Sequence, residues 1–426
     1  MSAAGEHRGA ISAAATAQLV AFMWVAFFLN YCDRQAISAM FPVLRTDLGM
    51  SDAQLGLTGS IFLWVYGVCC PLAGQLADVT SRRMLVVASL VLWSIVTLCT
   101  GLAGSAAVLL ALRAAMGVSE ALYMPAAVAL TANATSLERR SRAVATLTTA
   151  QVAGTVGGSW FGGWMAQQGQ WREAFFVLGA VGLLYAIPYH LFLRGVAEQA
   201  SATAPTASAT APTASGRLAL AELFRIPTYR VLCTIFPLFL FGLWMLYAWL
   251  PNFLYEKFAL DLAEAGFTAG VYLQTGALIG LLGGGVLADR LYARTKAARL
   301  WLLTATLLLC APCLHLVGNS ATLAATCYAS AGFGLFSGFL MGNIFPAAFE
   351  ITPAETRSSA VGCLNFCGAV VSGFAPLVGG MCQESLGIEG LLSGTAIVYL
   401  AAGILLILSI RVLFPQDYAR VHGEFP

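Results

Sequence analysis

Apolar runs long enough to cross a bilayer recur along almost the whole chain, and few architectures can accommodate them. Twelve can be read, roughly at 17–41, 54–77, 84–103, 106–131, 141–165, 173–193, 229–253, 265–288, 298–318, 322–349, 357–383 and 389–412, each near the 20 or so residues that a spanning helix needs. Inside a bilayer each backbone amide must be satisfied within its own segment, so such runs form helices. Charged residues make up 10% of the 426 residues and hydrophobic residues 59%, whereas soluble domains carry about 25% charged residues. An all-α membrane protein is expected, with twelve transmembrane helices in two six-helix bundles. The first run is too long for a cleavable signal and lacks a small-residue cleavage site, so it reads as the first membrane helix.

Charge placement sets the orientation. Of the 22 Lys and Arg residues, Arg45, Arg172 and Lys257 fall in loops on one side, Arg34 and Arg113 lie inside helices, and the rest fall at the termini or in loops on the other side. The positive-inside rule then puts both termini in the cytoplasm of a cell (inner) membrane protein. Between the sixth and seventh helices, Ser201-Ala-Thr-Ala-Pro-Thr-Ala is repeated at once from Ser208 to Ala214. Such a tract has too little apolar surface to order itself and reads as a linker. The expected organisation is an N-terminal bundle over 1–195, a cytoplasmic linker over 196–227 and a C-terminal bundle over 228–426. The halves also echo each other: Gly74-Gln-Leu-Ala-Asp78 by Gly285-Val-Leu-Ala-Asp289-Arg290, and Glu138-Arg-Arg-Ser-Arg142-Ala143 by Glu355-Thr-Arg-Ser-Ser-Ala360. Repeated halves with a site at their interface are a transporter architecture.

Asn30-Tyr31-Cys32-Asp33-Arg34 puts an acid and a base into the first apolar run. A charge at the centre of a membrane helix costs roughly 2.5–3.5 kcal/mol on insertion scales. A pair snorkelling at a helix end is one reading; a site facing a polar cavity is the other. The fourth helix supports the second, because Arg113 and Glu120 lie two turns apart and project from nearly the same face. The C-terminal half has no central charge, since Glu350 and Glu384 fall near helix ends. Proton handling and anion anchoring are therefore expected in the N-terminal half.

At this point the chain resembles the major facilitator superfamily over essentially its whole length. Gly74 to Arg83 is similar to the superfamily's loop signature, with Gly74, Leu76, Asp78, Arg82 and Arg83 in place and departures at Val79 and Ser81. The resemblance implies a latch at a helix end, formed by Gly74, Asp78, Arg82, Arg83 and Arg142 and by Asp289 and Arg290 in the second half. Closer similarity is to the anion:cation symporter family, which includes sugar-acid/proton symporters and vesicular glutamate and sialic acid carriers. It rests on the Asn30–Arg34 stretch, Phe62-Leu-Trp-x-Tyr66, Arg113-x3-Gly117-x2-Glu120 with Pro125, Gln151 with Gly154, Trp249-Leu-Pro-x-Phe-Leu254, Glu264-Ala-Gly-Phe267 and Gly283-Gly284. Spinster-type transporters share the Asp-Arg pair and the Arg-x6-Glu spacing. A Spinster-like transporter of lysolipid or another amphiphile is therefore the alternative to proton-coupled symport of a small organic anion.

Roles follow from chemistry. Arginine binds a carboxylate through a planar fork while staying protonated, so Arg34 is the first anion candidate. Burial raises a carboxyl's pKa and a neighbouring arginine lowers it, and Asp33 and Glu120 are placed for that competition. Arg113 either shares the anion or pairs with Asp33. The resemblance implies that Tyr31, Tyr66 and Gln151 contact substrate. Asn343 and Asn365 are polar within apolar helices and serve either the cavity or interhelical hydrogen bonding, while Trp64, Trp244 and Trp249 could wall a cavity. Glycines of the fifth and eighth helices let helices approach closely. Most of the eleven cysteines lie in apolar segments and read as small hydrophobes. Neither a metal site nor a cofactor is expected. With neither an ATP motif nor a nucleophile constellation, the chain reads as a monomeric transporter among lipids, driven by protons or by its substrate's own gradient, and not as an enzyme or a nucleic-acid binder.

Overall fold

The computed structural model describes residues 13–124, 126–127, 130, 137–201, 222–353 and 356–423. Arg8, Pro125, Glu355 and linker positions 202–221 lie outside them, as do the side chains of Asp78 and Arg142.

Among the described residues the chain is helical throughout. The first six spans are α1 (Ala13–Ala36), followed by a 3-10 turn and short α2 (Phe41–Asp47), then α3 (Asp52–Val79), α4 (Arg82–Gly101), α5 (Ala106–Ala121), α6 (Leu137–Gln167) and α7 (Trp171–Ser201). The last six are α8 (Pro227–Phe258), α9 (Leu262–Tyr292), α10 (Ala298–Asn319), α11 (Leu323–Phe349), the broken pair α12 (Arg357–Ser372) and α13 (Phe374–Met381), and α14 (Gln383–Val412); α15 (Phe414–His422) closes the chain. Nine of these spans are long and apolar enough to cross a membrane by length and composition. The other three, α1, α5 and α6, complete the twelve and differ for visible reasons. α1 carries Asn30, Asp33, Arg34 and Gln35, α5 is described over 16 residues only, and α6 is rich in glycine and threonine.

Short loops start helices with local caps. Ser51 and Gln54 form a reciprocal capping box at the start of α3, and Ser105, Asp261 and Thr322 each accept a backbone N–H at the start of α5, α9 and α11. Apolar side chains left exposed at the surface, such as Leu184, Ile187 and Leu191 on α7 and Ile404 and Leu408 on α14, recur every three or four residues. That spacing makes an outward stripe suited to hydrocarbon.

The two halves meet at the end of the molecule that carries Arg45. There Arg45 binds Asp52 of its own half at 2.6 Å and reaches Glu256 of the other half at 3.1 Å. Helices α6 and α9 approach so closely that a Cβ on Gly163 would lie 2.1 Å from the Leu262 carbonyl oxygen, and one on Gly266 2.3 Å from that of Ser159. Helices α3 and α13 do the same through Gly56 and Pro376. Nearer the middle, Trp64 Nε1 donates to the Val370 carbonyl at 3.2 Å. The glycines expected to let the fifth and eighth helices approach divide their work: Gly163 serves the α6–α9 contact, while Gly280 and Gly284 pack on α11.

At the opposite end of the last six spans, Arg299 bridges Glu350 and Asp289, the latter at 2.8 Å, and the His422 ring contacts the Glu350 carbonyl oxygen at 3.1 Å. Burial pushes the Glu350 carboxyl up to about 7 from an ordinary 4.5, against the hydrogen bond from Arg299, which pulls it down.

Two outcomes are expected. Gly266→Val drives a branched side chain into the α6 backbone, so spin labels at Gln168 and Leu260 move apart; an unchanged distance would mean that α6 and α9 absorb the branch without separating. A carboxyl raised by folding stabilises the fold at low pH and loses that contribution as pH climbs through its folded value. The unfolding temperature should therefore fall between about pH 4.5 and 7, and Glu350→Gln should flatten that slope relative to the parent in a thermal scan.

Candidate functional site

The charges singled out from α1 and α5 come together, fully packed, in the interior of the first six spans. Asp33, Arg34, Arg113 and Glu120 are all buried, none more than 8% exposed. Arg34 donates to one Glu120 oxygen through both Nη2, at 2.6 Å, and Nε, at 3.2 Å. The other Glu120 oxygen, Oε1, is buried with no hydrogen-bond partner, and Arg34 Nη1 makes no hydrogen bond with the described residues. Asp33 accepts from Thr97 of α4 at 3.2 Å through Oδ2, while its Oδ1 is buried without a partner.

Arg113 is held differently. Its Nε donates to the Thr58 carbonyl at 3.4 Å, Nη1 contacts the Met116 sulfur at 3.2 Å, and its guanidinium lies 5.2 Å from the Phe62 ring. Among the described residues, no carboxylate sits within ion-pair distance of it. Tyr31, Phe62 and Tyr66 surround Arg34, their ring centres 4.9, 4.7 and 5.1 Å from its guanidinium carbon. Gly154 of α6 lets that wall form, because a Cβ there would come within 2.8 Å of the Tyr31 Cβ.

A small cavity of about 20 Å³ is lined by both Arg34 and Arg113, with Gln35, Ser38 and Thr58 from the first six spans and Trp244, Tyr247 and Pro376 from the last six. A second, of about 10 Å³, shares Gln35 and Tyr247 and adds Thr155, Ser159 and Gly270. Gln274 donates to the Tyr247 hydroxyl at 3.3 Å. Gln35, Thr97, Tyr247 and Gln274 are polar groups that the sequence reading passed over. Gln35 directly follows Arg34, and Thr97 belongs to a buried hydroxyl series, Ser94, Thr97 and Thr100, that was legible along α4.

The other candidates are dispersed. Gln151 is half-buried on α6 one turn before Thr155, and Asn365 is exposed on α12 one turn before Ala369, which touches Gly67 of α3. Asn343 donates to the Phe339 carbonyl of its own helix at 2.9 Å and faces Gly284 of α9; it lines neither cavity. Of the latch candidates, Gly74 has open space around it, Arg82 Nε donates to the Ala77 carbonyl at 3.4 Å, Arg83 is half-buried, Arg290 is exposed and Asp289 pairs with Arg299 of its own half.

Twelve spans around a buried cluster of charged side chains, with a cavity between halves, define a polytopic carrier. The chain matches the Major Facilitator Superfamily over residues 23–376 and again over 238–423. It belongs to that superfamily, and is a membrane transporter rather than an enzyme. It is 32% identical over 290 residues to the probable sulfoacetate transporter SauU of Cupriavidus necator, covering 66% of this chain and 67% of that one. It is 26% identical over 386 residues to the probable L-galactonate transporter of Escherichia coli, covering 87% and 83%. A solved bacterial homologue of the human lysosomal transporter Spinster, inward-facing and unoccupied, matches with a TM-score of 0.82 at 20% identity, over 96% of this chain and 99% of that chain; at that identity the likeness concerns the fold.

Removing one member of a buried ion pair strands the other, at a cost of about 3–5 kcal/mol, whereas replacing both with apolar groups is often close to neutral. Glu120→Ala is therefore expected to lower the unfolding temperature in detergent sharply, and Arg34→Met/Glu120→Leu to recover most of the loss. A double variant as unstable as the sum of its singles would mean that the pair is not the stabilising contact.

Proposed function

We propose that this chain is a secondary active transporter that moves a small organic anion, such as a sugar acid or another carboxylate, together with protons. It does so by alternating access between its two halves, 1–195 and 228–426. The observation that carries the reading is the cavity lined by two buried guanidinium groups, only one of which has a carboxylate partner among the described residues. Glu120 holds Arg34 while ionised. A proton on Glu120 removes that claim and frees the Arg34 fork for the incoming anion. Arg113, already without a carboxylate, supplies a second positive wall, while Asp33 beside Thr97 is the second proton site. Gln35, Ser38 and Tyr247 offer hydrogen bonds to substrate hydroxyls, with Tyr31 and Tyr66 about Arg34; Gln151, Asn365 and Asn343 stand outside the cavity lining and would reach substrate only in another state of the carrier.

The names of the relatives, sulfoacetate and L-galactonate transporters, fit a cavity with two cations and several neutral polar groups. The closed Arg45 end and the loop signatures of Gly74–Arg83 and Asp289–Arg290 at the other end fit a carrier whose ends latch in turn. Positive-inside counting puts the Arg82 end in the cytoplasm of the inner membrane. A second reading draws on the apolar groove between α3 and α12, lined by Trp64, Val68, Val370 and Phe374, which suits an amphiphile arriving sideways from the bilayer.

Proteoliposomes with an imposed proton gradient test both readings. Galactonate or sulfoacetate is expected to accumulate in wild type. Glu120→Gln should lose gradient-driven accumulation yet retain exchange, and Arg34→Lys should lose at least about tenfold in apparent affinity, because an ammonium cannot replace the fork. Accumulation with unchanged pH dependence in both Asp33→Asn and Glu120→Gln would remove proton coupling from these residues. Movement of a lysolipid but of neither anion would establish the second reading instead.

A further inference from the structure

Three cysteines of the last six spans converge from two helices. Cys363 and Cys367 lie one turn apart on α12, and Cys233 faces them from α8; their sulfur atoms all lie within 4.8 Å of one another. Each is half-buried, not sealed in the core, and Tyr229, one turn before Cys233, packs against the group while its hydroxyl donates to the Ala360 carbonyl at 2.7 Å. We infer that Cys233, Cys363 and Cys367 form a three-thiolate site for a thiophilic d10 cation such as Cu(I), with Cd(II) as a spectroscopic stand-in.

The chemistry supports this class of ion over others. Thiolates select Cu(I), zinc and their relatives over hard cations such as Mg²⁺ and Ca²⁺. Sulfurs sharing an ion at about 2.3 Å sit roughly 3.8–4.0 Å apart, so small side-chain adjustments close the observed spacing. No histidine or carboxylate joins the three among the described residues, which favours an ion content with three sulfur ligands. Cys310 and Cys313, spaced two residues apart in α10, are not part of this cluster.

Position gives the site a consequence. The site staples α8 to α12. Three to four turns further along α8 come Trp244 and Tyr247, which line the Arg34 cavity. One to two turns further along α12 come Ala369 and Val370, which touch α3 of the other half. Ion binding would therefore fix two helices that both reach the interface between halves.

Titration of the reduced, metal-free full-length protein in detergent with Cd(II) tests the site through the ultraviolet thiolate-to-metal absorption. One equivalent should bind with that absorption and raise the unfolding temperature, since a ligand of the native state stabilises it. Cys233→Ser, Cys363→Ser and Cys367→Ser should each weaken binding by at least about 100-fold, the upper end of what even an outer-sphere partner contributes, while Cys310→Ser and Cys99→Ser bind as the parent does. Absence of the absorption, or binding that survives Cys233→Ser unchanged, would show that the three thiols pack as hydrophobes and hold no ion. Equal losses in the Cys310→Ser control would likewise overturn the assignment.

Discussion

A charge inside a bilayer survives only where other groups take over from water, and the first six spans are arranged around that requirement. Arg34 and Glu120 meet their own need by pairing at 2.6 Å. Asp33 takes one hydroxyl from Thr97, and Arg113 leans on a backbone carbonyl, a sulfur and an aromatic face. None of these substitutes is as good as bulk water, and buried polar groups left partly unsatisfied are costly. The arrangement is tolerable because two positive and two negative charges share one small volume.

The closed Arg45 end follows a different logic. It is held by backbone approaching backbone through Gly163, Gly266, Gly56 and Gly380, with the Arg45–Glu256 bridge at its rim. Surface ion pairs contribute little, about 0–1 kcal/mol. The contact is therefore mostly shape: small residues permit van der Waals packing between helices where lipid offers no hydrophobic drive. Contacts of this kind form and part without stranding buried polar groups.

Much of this was legible in the sequence, because the period of a helix and the cost of a membrane charge are both local properties. The twelve spans followed from apolar length alone, and Arg113 and Glu120 were placed on one face by their spacing. Pairing was not legible. The sequence left Arg113 between the anion and Asp33 and assigned Arg34 to the anion; in the folded chain Arg34 is the residue held by Glu120, and Arg113 has no carboxylate in reach. Which arginine meets which acid depends on how α1 crosses α5, and no spacing within either helix encodes that. For the same reason Tyr247 and Gln274, from the other half, stayed invisible. Asn343 illustrates the converse, since a polar residue in an apolar helix has two uses in sequence, and in the fold its amide turns back to the Phe339 carbonyl of its own helix. The cysteine cluster was half visible, as Cys363 and Cys367 share a face, but Cys233 joins them only once α8 packs on α12.

The three rings about Arg34 bear on what happens when its carboxylate lets go. A cation over an aromatic face is attracted by the ring quadrupole, by about 2 kcal/mol or more where water is excluded. Tyr31, Phe62 and Tyr66 thus present a fixed, partly negative surface to Arg34. During any exchange of Glu120 for another anion, the guanidinium is never bare. The rings give the guanidinium part of what solvent would give it, in a place where solvent has been excluded.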